Sequence, residues 1–412
     1  MAGAFITRQA FIAGIVRVTL KKLFLAHYSG DAAELRELAV ELRLHGIVPW
    51  MDKDGGFSVA DNSEMEARRA IRENCFGLLL YATEHVFDRP FIRDVEMDEA
   101  RKIKASDPSF DLFAVPRSIS FDVLRERSLR SFQVDLSAFH TIPITDNGNL
   151  ETHWETVASE IVARRLQRAV AERSGRSLSL QYSTRELMPH QPDDVLCIDA
   201  TSQFQDNIAN AVGWRRLIRA LRNLKRQISK IYGRPRLIVH GSKHLAAAFI
   251  FGRVFAPFDL DIWQTKDQIW RTDLLEAADI TPLNVSYEEG RPGSRKLFLE
   301  IASGYKNVED GVDAYLANQR KSMPFRLQLR PPPNSRLKVD NALCGAMVKQ
   351  TYSELEHVMK THHTSGIHIF AAAPQSFMMM LGREFKGMPA VRLYEWDGVR
   401  YVLCCAVPAG VL

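Results

Sequence analysis

Two stretches in the second half of this 412-residue chain share one design. Residues 236–256 read RLIVHGSKHLAAAFIFGRVFA, and residues 366–386 read GIHIFAAAPQSFMMMLGREFK. Each is a short apolar run, a small-residue break, an apolar stretch at helical spacing and the string Gly-Arg-x-Phe. The strings are Gly252-Arg253-Val254-Phe255 and Gly382-Arg383-Glu384-Phe385, 130 residues apart. Each is followed by an apolar run that carries aromatics, Leu260 to Gln264 and Val391 to Asp397. That predicts strand, tight turn, helix, strand, twice over. Such a unit packs as a right-handed crossover in a parallel sheet, and ligands meet that sheet at the carboxyl ends of its strands. Two units side by side predict a two-lobed pocket for one ligand.

The composition sets ordinary bounds. Apolar residues are 46% and charged residues 25%, as in a globular protein with room for two or three cores. No apolar run approaches the roughly 20 residues of a membrane helix. Residues 1–17 resemble a signal peptide faintly, but Arg8 and Gln9 interrupt the run, so a short leader is expected there. The five cysteines lack metal spacing and are expected as buried thiols in a reducing cytoplasm. A net charge of +5 argues against bulk DNA binding and leaves room for a small anionic ligand.

The first half alternates strand and helix patterns. Lys22 to His27 reads as a strand, and Asp31 with Glu34 as a helix-start pair. Leu35, Leu38, Ala39 and Leu42 continue that helix to Gly46. Ile47 to Asp52, Cys75 to Thr83, Asp111 to Pro116 and Thr141 to Thr145 read as further strands. A glycine-bearing loop covers Lys53 to Ser63, and helices are expected at Met65 to Asn74, Phe91 to Ser106 and Trp154 to Arg173. This is an α/β pattern with a doubly wound parallel sheet.

Three strings in order resemble a TIR domain: Leu23 to Asp31, Trp50-Met51-Asp52 with its loop, and Leu78 to Ala100. The resemblance implies a flavodoxin-like fold over residues 1–172 and, as in enzymatic members, cleavage of NAD between nicotinamide and ribose. It places the catalytic carboxylate at Glu96, on the helix after the third strand. No Trp precedes Glu96, and Glu84, directly after that strand, is the alternative. NAD is then expected against His27, Tyr28, Ser29 and Asp31 at the first strand end, and against Trp50 and Asp52 at the second. Rim packing is the competing reading for Tyr28 and Trp50, and a turn or cap for Ser29.

Residues 173–194 are polar, rich in Ser and Arg, and expected as a linker. Asn207 to Tyr232 reads as a helix with a basic face of Arg215, Arg216, Arg219, Arg222, Lys225 and Arg226, solvated or interdomain, with direct ligand contact as the competing reading.

The paired units resemble a SAVED domain, through His240 to His244, Phe251 to Arg253, Ile367 to Ser376, Leu381 to Arg383 and Leu393 to Trp396. That implies two fused CARF-like Rossmann-type lobes over residues 195–412, holding a cyclic di- or trinucleotide between them. The residues it assigns to this ligand are Asp199, Thr201, His240, Gly241, Ser242, Lys243, Arg253, Trp263, Ala372, Ala373, Pro374, Gln375, Ser376 and Tyr394. Small residues after a strand let backbone approach a phosphate, and a helix N-terminus adds positive potential. Trp263 and Tyr394 are candidates for base stacking. Arg253 and Arg383 fit either ligand contact or carbonyl capping, and Met378 to Met380 read as core.

Together the resemblances imply a TIR-SAVED effector of bacterial CBASS antiphage immunity, with cyclic tri-adenylate as activator and NAD as substrate. They imply self-association into oligomers or filaments and no prosthetic group, metal, membrane or DNA. The alternative is a non-enzymatic TIR scaffold that recruits a partner.

Overall fold

A computed structural model describes residues 20–51, 63–144, 150–172, 177–191, 193–205, 208–265, 268–274, 282–291, 294–303, 308–317, 324–332 and 339–408. The leader residues 1–17, Asp52 and loop residues 53–62 lie outside this set.

The first unit is built on β1 (Lys22–Ala26), β2 (Pro49–Trp50), β3 (Cys75–Ala82), β4 (Asp111–Pro116) and β5 (His140–Thr141). They are parallel neighbours in the order 2-1-3-4-5, one of the two common doubly wound orders. β3 is buried along all eight residues, so its apolar run belongs to a strand covered on both faces. The helices are α1 (Ala32–Leu44), α2 (Ser63–Arg69), α3 (Asp98–Ser106), α4 (Phe121–Phe132) and α5 (Leu150–Glu172), with a π-type turn over Ile92–Met97 before α3. α4 was not expected from the sequence, although Ser120 caps it by accepting from the Val123 N–H at 3.2 Å. Asp31 makes no cap hydrogen bond. Instead Thr83 Oγ1 donates to Asp31 Oδ2 at 2.8 Å, and Tyr81 donates to Glu34. The expected helix-start pair therefore braces α1 against β3.

The stretch expected as a linker contains β6 (Ser177–Ser183), between two neighbours in the middle of the second sheet. Leu178, Leu180 and Tyr182 face the core, so a period of two was present beneath the polar composition. The second unit thus starts at Ser177 and not at Val195. It continues with β7 (Asp194–Asp199), a short hairpin of β8 (Phe204–Gln205) and β9 (Ile208–Ala209), α6 (Ala211–Tyr232), β10 (Arg236–His240), α7 (Leu245–Val254), β11 (Leu260–Thr265) and β12 (Gln268–Arg271). The sheet order is 12-11-10-6-7, with only the edge strand β12 antiparallel.

The third unit holds β13 (Asn284–Glu288), β14 (Lys296–Ala302), α8 (Glu309–Ala317), β15 (Phe325–Arg330), α9 (Asn341–His362), β16 (Gly366–Ala372), α10 (Gln375–Glu384), β17 (Ala390–Trp396) and β18 (Tyr401–Val407). Its order is 13-15-14-16-17-18, parallel inside and antiparallel at both edges. The repeat is therefore real: β10-α7-β11 and β16-α10-β17 have the same topology, and each ends in an antiparallel edge strand.

Glycine decides how the two lobes meet. A β-carbon on Gly252 would lie 1.8 Å from the Met379 carbonyl oxygen, and one on Gly382 would lie 2.0 Å from the Phe249 carbonyl oxygen. Each glycine faces the carbonyl three residues before the other. α7 and α10 thus cross backbone to backbone about a local two-fold, which no larger residue permits. The arginine of each string then reaches across. Arg253 Nη2 donates to the Met388 carbonyl at 3.4 Å, and Arg383 Nε to the Ala256 carbonyl at 3.0 Å.

The basic face of α6 divides. Arg216 donates to the buried Glu41 of α1 at 2.8 Å, and Arg219 pairs with Glu151 and Glu155 of α5 at 2.6 and 2.8 Å. Arg215, Arg222 and Arg226 are exposed. The face is interdomain on one side and solvated on the other.

Candidate functional site

The parallel strands of the second sheet end along one edge. There β10 turns at Gly241, whose φ of +104° and whose 2.4 Å approach of a would-be β-carbon to the Tyr182 carbonyl demand glycine. The Ser242 carbonyl accepts from the Thr184 and Arg185 N–H groups at 2.9 and 3.2 Å. His244 is fixed twice by Thr184: its N–H donates to Oγ1 at 2.9 Å, and its Nδ1 bonds the same hydroxyl at 2.9 Å. Its ring lies flat on Phe204, 4.6 Å between centroids, and burial pushes its pKa down to about 4. His244 is therefore a neutral ring at physiological pH.

Lys243 is the unusual member. It is 3% exposed, its N–H donates to Gln375 Oε1 of the other lobe at 3.0 Å, and its Nζ donates to the Gly241 carbonyl at 2.6 Å. Among the described residues no carboxylate pairs with it, and burial alone pulls its pKa down to about 7. A buried ammonium without a counter-anion is costly unless something supplies the negative charge. Across the lobe junction, Ser376 donates to Gln264 Oε1 at 2.6 Å, so α10 begins where β11 ends. Asp199 closes a local turn onto Thr201, accepting from its N–H at 3.0 Å and its hydroxyl at 2.7 Å. Ala372, Ala373 and Pro374 complete the opposite rim, half-buried.

Several expected ligand residues are placed elsewhere. The N-terminus of α7 is occupied by Glu395 of β17, which accepts from the Ala246 N–H at 2.7 Å, so the phosphate expected there would meet a carboxylate. Burial raises the Glu395 pKa. Tyr394 points to the opposite face of its strand, as alternation requires, and is stacked on Phe370 at 4.2 Å with its hydroxyl on His368. It belongs to a buried aromatic cluster. His240 is committed to Asp194 at 2.7 Å, beneath the edge and beside Trp263. Arg253 sits about 12 Å down α7 at 1.5 Å per residue, buried at the lobe junction. Arg253 and Arg383 each donate to a carbonyl just beyond the other helix, and Arg383 also faces Asp259 at 3.5 Å. Met378, Met379 and Met380 are core, as expected. Thr184, Phe204, Gln264 and Glu395 were not anticipated. Only Glu395 had a sequence signal, one position from Tyr394 in an alternating strand.

In the first unit the 2-1-3-4-5 order reverses between β1 and β3, which is where a doubly wound sheet opens a crevice. Tyr28 follows β1, half-buried, and its ring meets His85 at 5.3 Å. The Arg89 guanidinium lies over the Tyr28 ring, 4.1 Å from its centroid. Asp31 and Glu34 sit alongside, held to Thr83 and Tyr81, and Arg117 lies 3.4 Å from Glu34. Ser29 is exposed in a single 3-10 turn, and the His27 ring bonds the Leu25 carbonyl at 3.2 Å. Trp50 is stacked on Phe24 at 4.5 Å, which favours packing over substrate contact. Glu84 is exposed at the rim. Glu96 is 7% exposed and lies in the π-type turn, a distortion common at functional sites. Thr83, His85, Arg89 and Arg117 join this group at the strand ends through their contacts with Asp31, Tyr28 and Glu34, and the sequence did not point to them.

Two similar α/β lobes joined to a doubly wound α/β unit are the class this architecture defines, with the candidate ligand site at the lobe junction. Residues 215–407 match the family model described as the SMODS-associated and fused to various effectors sensor domain, SAVED. A CD-NTase-associated protein 4 of an Acinetobacter species is 26% identical over 197 residues, 46% of this chain and 40% of that protein. The Moraxella osloensis protein of the same name is 25% identical over 193 residues, again 46% and 40%. The matched stretch thus spans well under half the length of these curated relatives. Among solved structures, the Acinetobacter baumannii Cap4 SAVED/CARF-domain containing receptor with the cyclic trinucleotide 3'3'3'-cAAA matches with a TM-score of 0.50 and 17% identity, over 81% of this chain and 88% of that one. That likeness is one of fold. Among the described residues no helix is long and apolar enough to cross a membrane.

Proposed function

We propose that this chain is a cyclic-trinucleotide-gated effector of CBASS immunity, whose first unit hydrolyses NAD to nicotinamide and ADP-ribose when the sensor cleft is occupied. The observation that carries the sensor reading is Lys243, a buried cation at the lobe junction with no carboxylate partner among the described residues. A cyclic oligoadenylate brings phosphates to neutralise it and bases to rest against the cleft, and the Cap4 receptor named above holds such a ligand. The NAD reading rests on the TIR-like strings and on a crevice at the β1/β3 switch point with a buried carboxylate, Glu96, nearby in sequence. The chemistry needs few groups. Nicotinamide leaves as a neutral ring, so no general acid is required, and a fixed carboxylate stabilises the oxocarbenium-like transition state. Oligomers or filaments supply the activating contact.

The test uses the whole chain with 3'3'3'-cAAA. Calorimetry is expected to show binding of the cyclic but not the linear trinucleotide, weakening as salt rises. Nicotinamide release is expected only with the cyclic ligand, together with growth in particle mass by light scattering. Equal binding of linear and cyclic forms would overturn the cleft. Binding without nicotinamide release would leave the first unit as a recruiting scaffold.

Lys243 adds a pH signature. Its ammonium is charged below about pH 7 and increasingly neutral above, so affinity for the anionic ligand is expected to fall between pH 6.5 and about 8.5, with proton uptake on binding at neutral pH. Without ligand the sign reverses for stability. The unfolded chain holds this proton up to its ordinary pKa of 10.5, so the Lys243 contribution to stability is full above that value and is lost as pH falls through about 7. Lys243→Met is expected to flatten both profiles. Unchanged profiles in that variant would remove Lys243 from the site.

A further inference from the structure

Arg89 is an exposed guanidinium in the first unit that the chemistry above leaves without a task. It lies over the Tyr28 ring at 4.1 Å, with His85 against the same ring at 5.3 Å. Its neighbours are otherwise paired: Asp88 faces Arg127 at 3.9 Å, Arg93 holds Asp94 at 2.7 Å, and Arg117 faces Glu34 at 3.4 Å. Among the described residues no carboxylate pairs with the Arg89 guanidinium, so its N–H donors are available to a ligand. Stacking on an aromatic face holds a guanidinium in one plane and leaves its edge free. The place matters as much as the geometry. Tyr28 follows β1 and Arg89 follows β3, so the pair straddles the point where the strand order reverses and where such sheets bind phosphorylated ligands.

We infer that Arg89, seated on Tyr28, is a diphosphate-binding residue of the first-unit crevice, which positions a dinucleotide across the β1/β3 switch point. This rests on the dinucleotide reading of the first unit given above. A planar, fully charged fork takes two phosphate oxygens at once, and the local anions Asp31 and Glu34 are already engaged with Thr83 and Tyr81. Arg89 touches no bond that breaks, so its role is in binding, and kcat is expected to survive its loss.

The experiment uses the full chain with 3'3'3'-cAAA bound, NAD as substrate and ADP-ribose as a probe that is not turned over. Arg89→Ala is expected to raise KM for NAD and Kd for ADP-ribose about tenfold or more, the worth of a charge-assisted hydrogen bond, with kcat within about twofold. Arg89→Lys is expected to recover little, because an ammonium neither stacks flat nor forks. Tyr28→Ala is expected to weaken ADP-ribose as well, and the two losses should be less than additive, since Tyr28 acts by seating Arg89. Wild-type turnover with an unchanged KM and Kd in Arg89→Ala overturns this inference and leaves the hydrolase reading standing. A wild-type chain that neither binds ADP-ribose nor releases nicotinamide overturns both.

Discussion

Gly252→Ala is expected to destabilise the paired lobes by about 3 kcal/mol or more, the upper end of the overpacking range. The added β-carbon would sit 1.8 Å from the Met379 carbonyl oxygen, and a backbone atom in the middle of α10 has no rotamer by which to give way. The helices must separate, which undoes the packing of Phe249 against Phe385 and lengthens the Arg253 and Arg383 contacts across the junction. Ala gains up to about 1 kcal/mol over Gly in helix propensity, so the net loss understates the clash. Gly382→Ala should behave alike, because its β-carbon would lie 2.0 Å from the Phe249 carbonyl oxygen. The double variant should fall short of the sum, since the second β-carbon enters space the first has opened. Gly366→Ala is the control, with nothing within 4 Å of its would-be β-carbon. Urea midpoints at constant m would measure all four. A Gly252→Ala midpoint equal to the wild type would mean that the two helices do not cross as described.

Glu96→Gln is expected to lower nicotinamide release by about 10²- to 10⁴-fold, the range for removing one electrostatic stabiliser of a charged transition state. Gln keeps the shape and loses the charge, so the effect should fall on kcat while binding of 3'3'3'-cAAA is unchanged. A buried side chain in a π-type turn could also serve packing alone. Two readouts separate the roles: a packing loss lowers the urea midpoint and spares turnover per folded molecule, whereas a catalytic loss does the reverse. Full activity in Glu96→Gln removes it from the chemistry and makes Glu84, exposed at the crevice rim, the next carboxylate to replace.

Much of the fold was legible because the signal was periodic. The short apolar-rich runs 236–240 and 366–372 read as strands and are β10 and β16, and the apolar stretches after them are α7 and α10. The second sheet was half-read. A Ser- and Arg-rich stretch looked like a tether, yet Leu178, Leu180 and Tyr182 alternate within it and make β6 a central strand. Composition and period conflict there, and period decides. α4 was overlooked for a similar reason: its charged residues hide Leu124, Ser128 and Phe132 at helical spacing.

The candidate sites divide along another line. Residue types and their place along the chain determined which loops end at a ligand-facing sheet edge: Gly241 to His244 and Ala372 to Ser376 lie there because a parallel sheet brings the ends of its strands together. The repeated Gly-Arg-x-Phe string likewise announced a repeated unit. What the glycine in it was for, and which groups share an environment, only the tertiary structure decided. Gly252 and Gly382 face each other's helix, Glu395 from one lobe caps α7 of the other, and Lys243 is left buried without an anion beside Gln375. Arg253 and Tyr394 went the other way, from expected ligand contacts to a helix junction and an aromatic core. Period and turn chemistry act over a few residues and are written in the order of the chain. Burial, pairing and the direction of a side chain depend on contacts between residues tens to more than a hundred positions apart, and those exist only once the strands and lobes have packed.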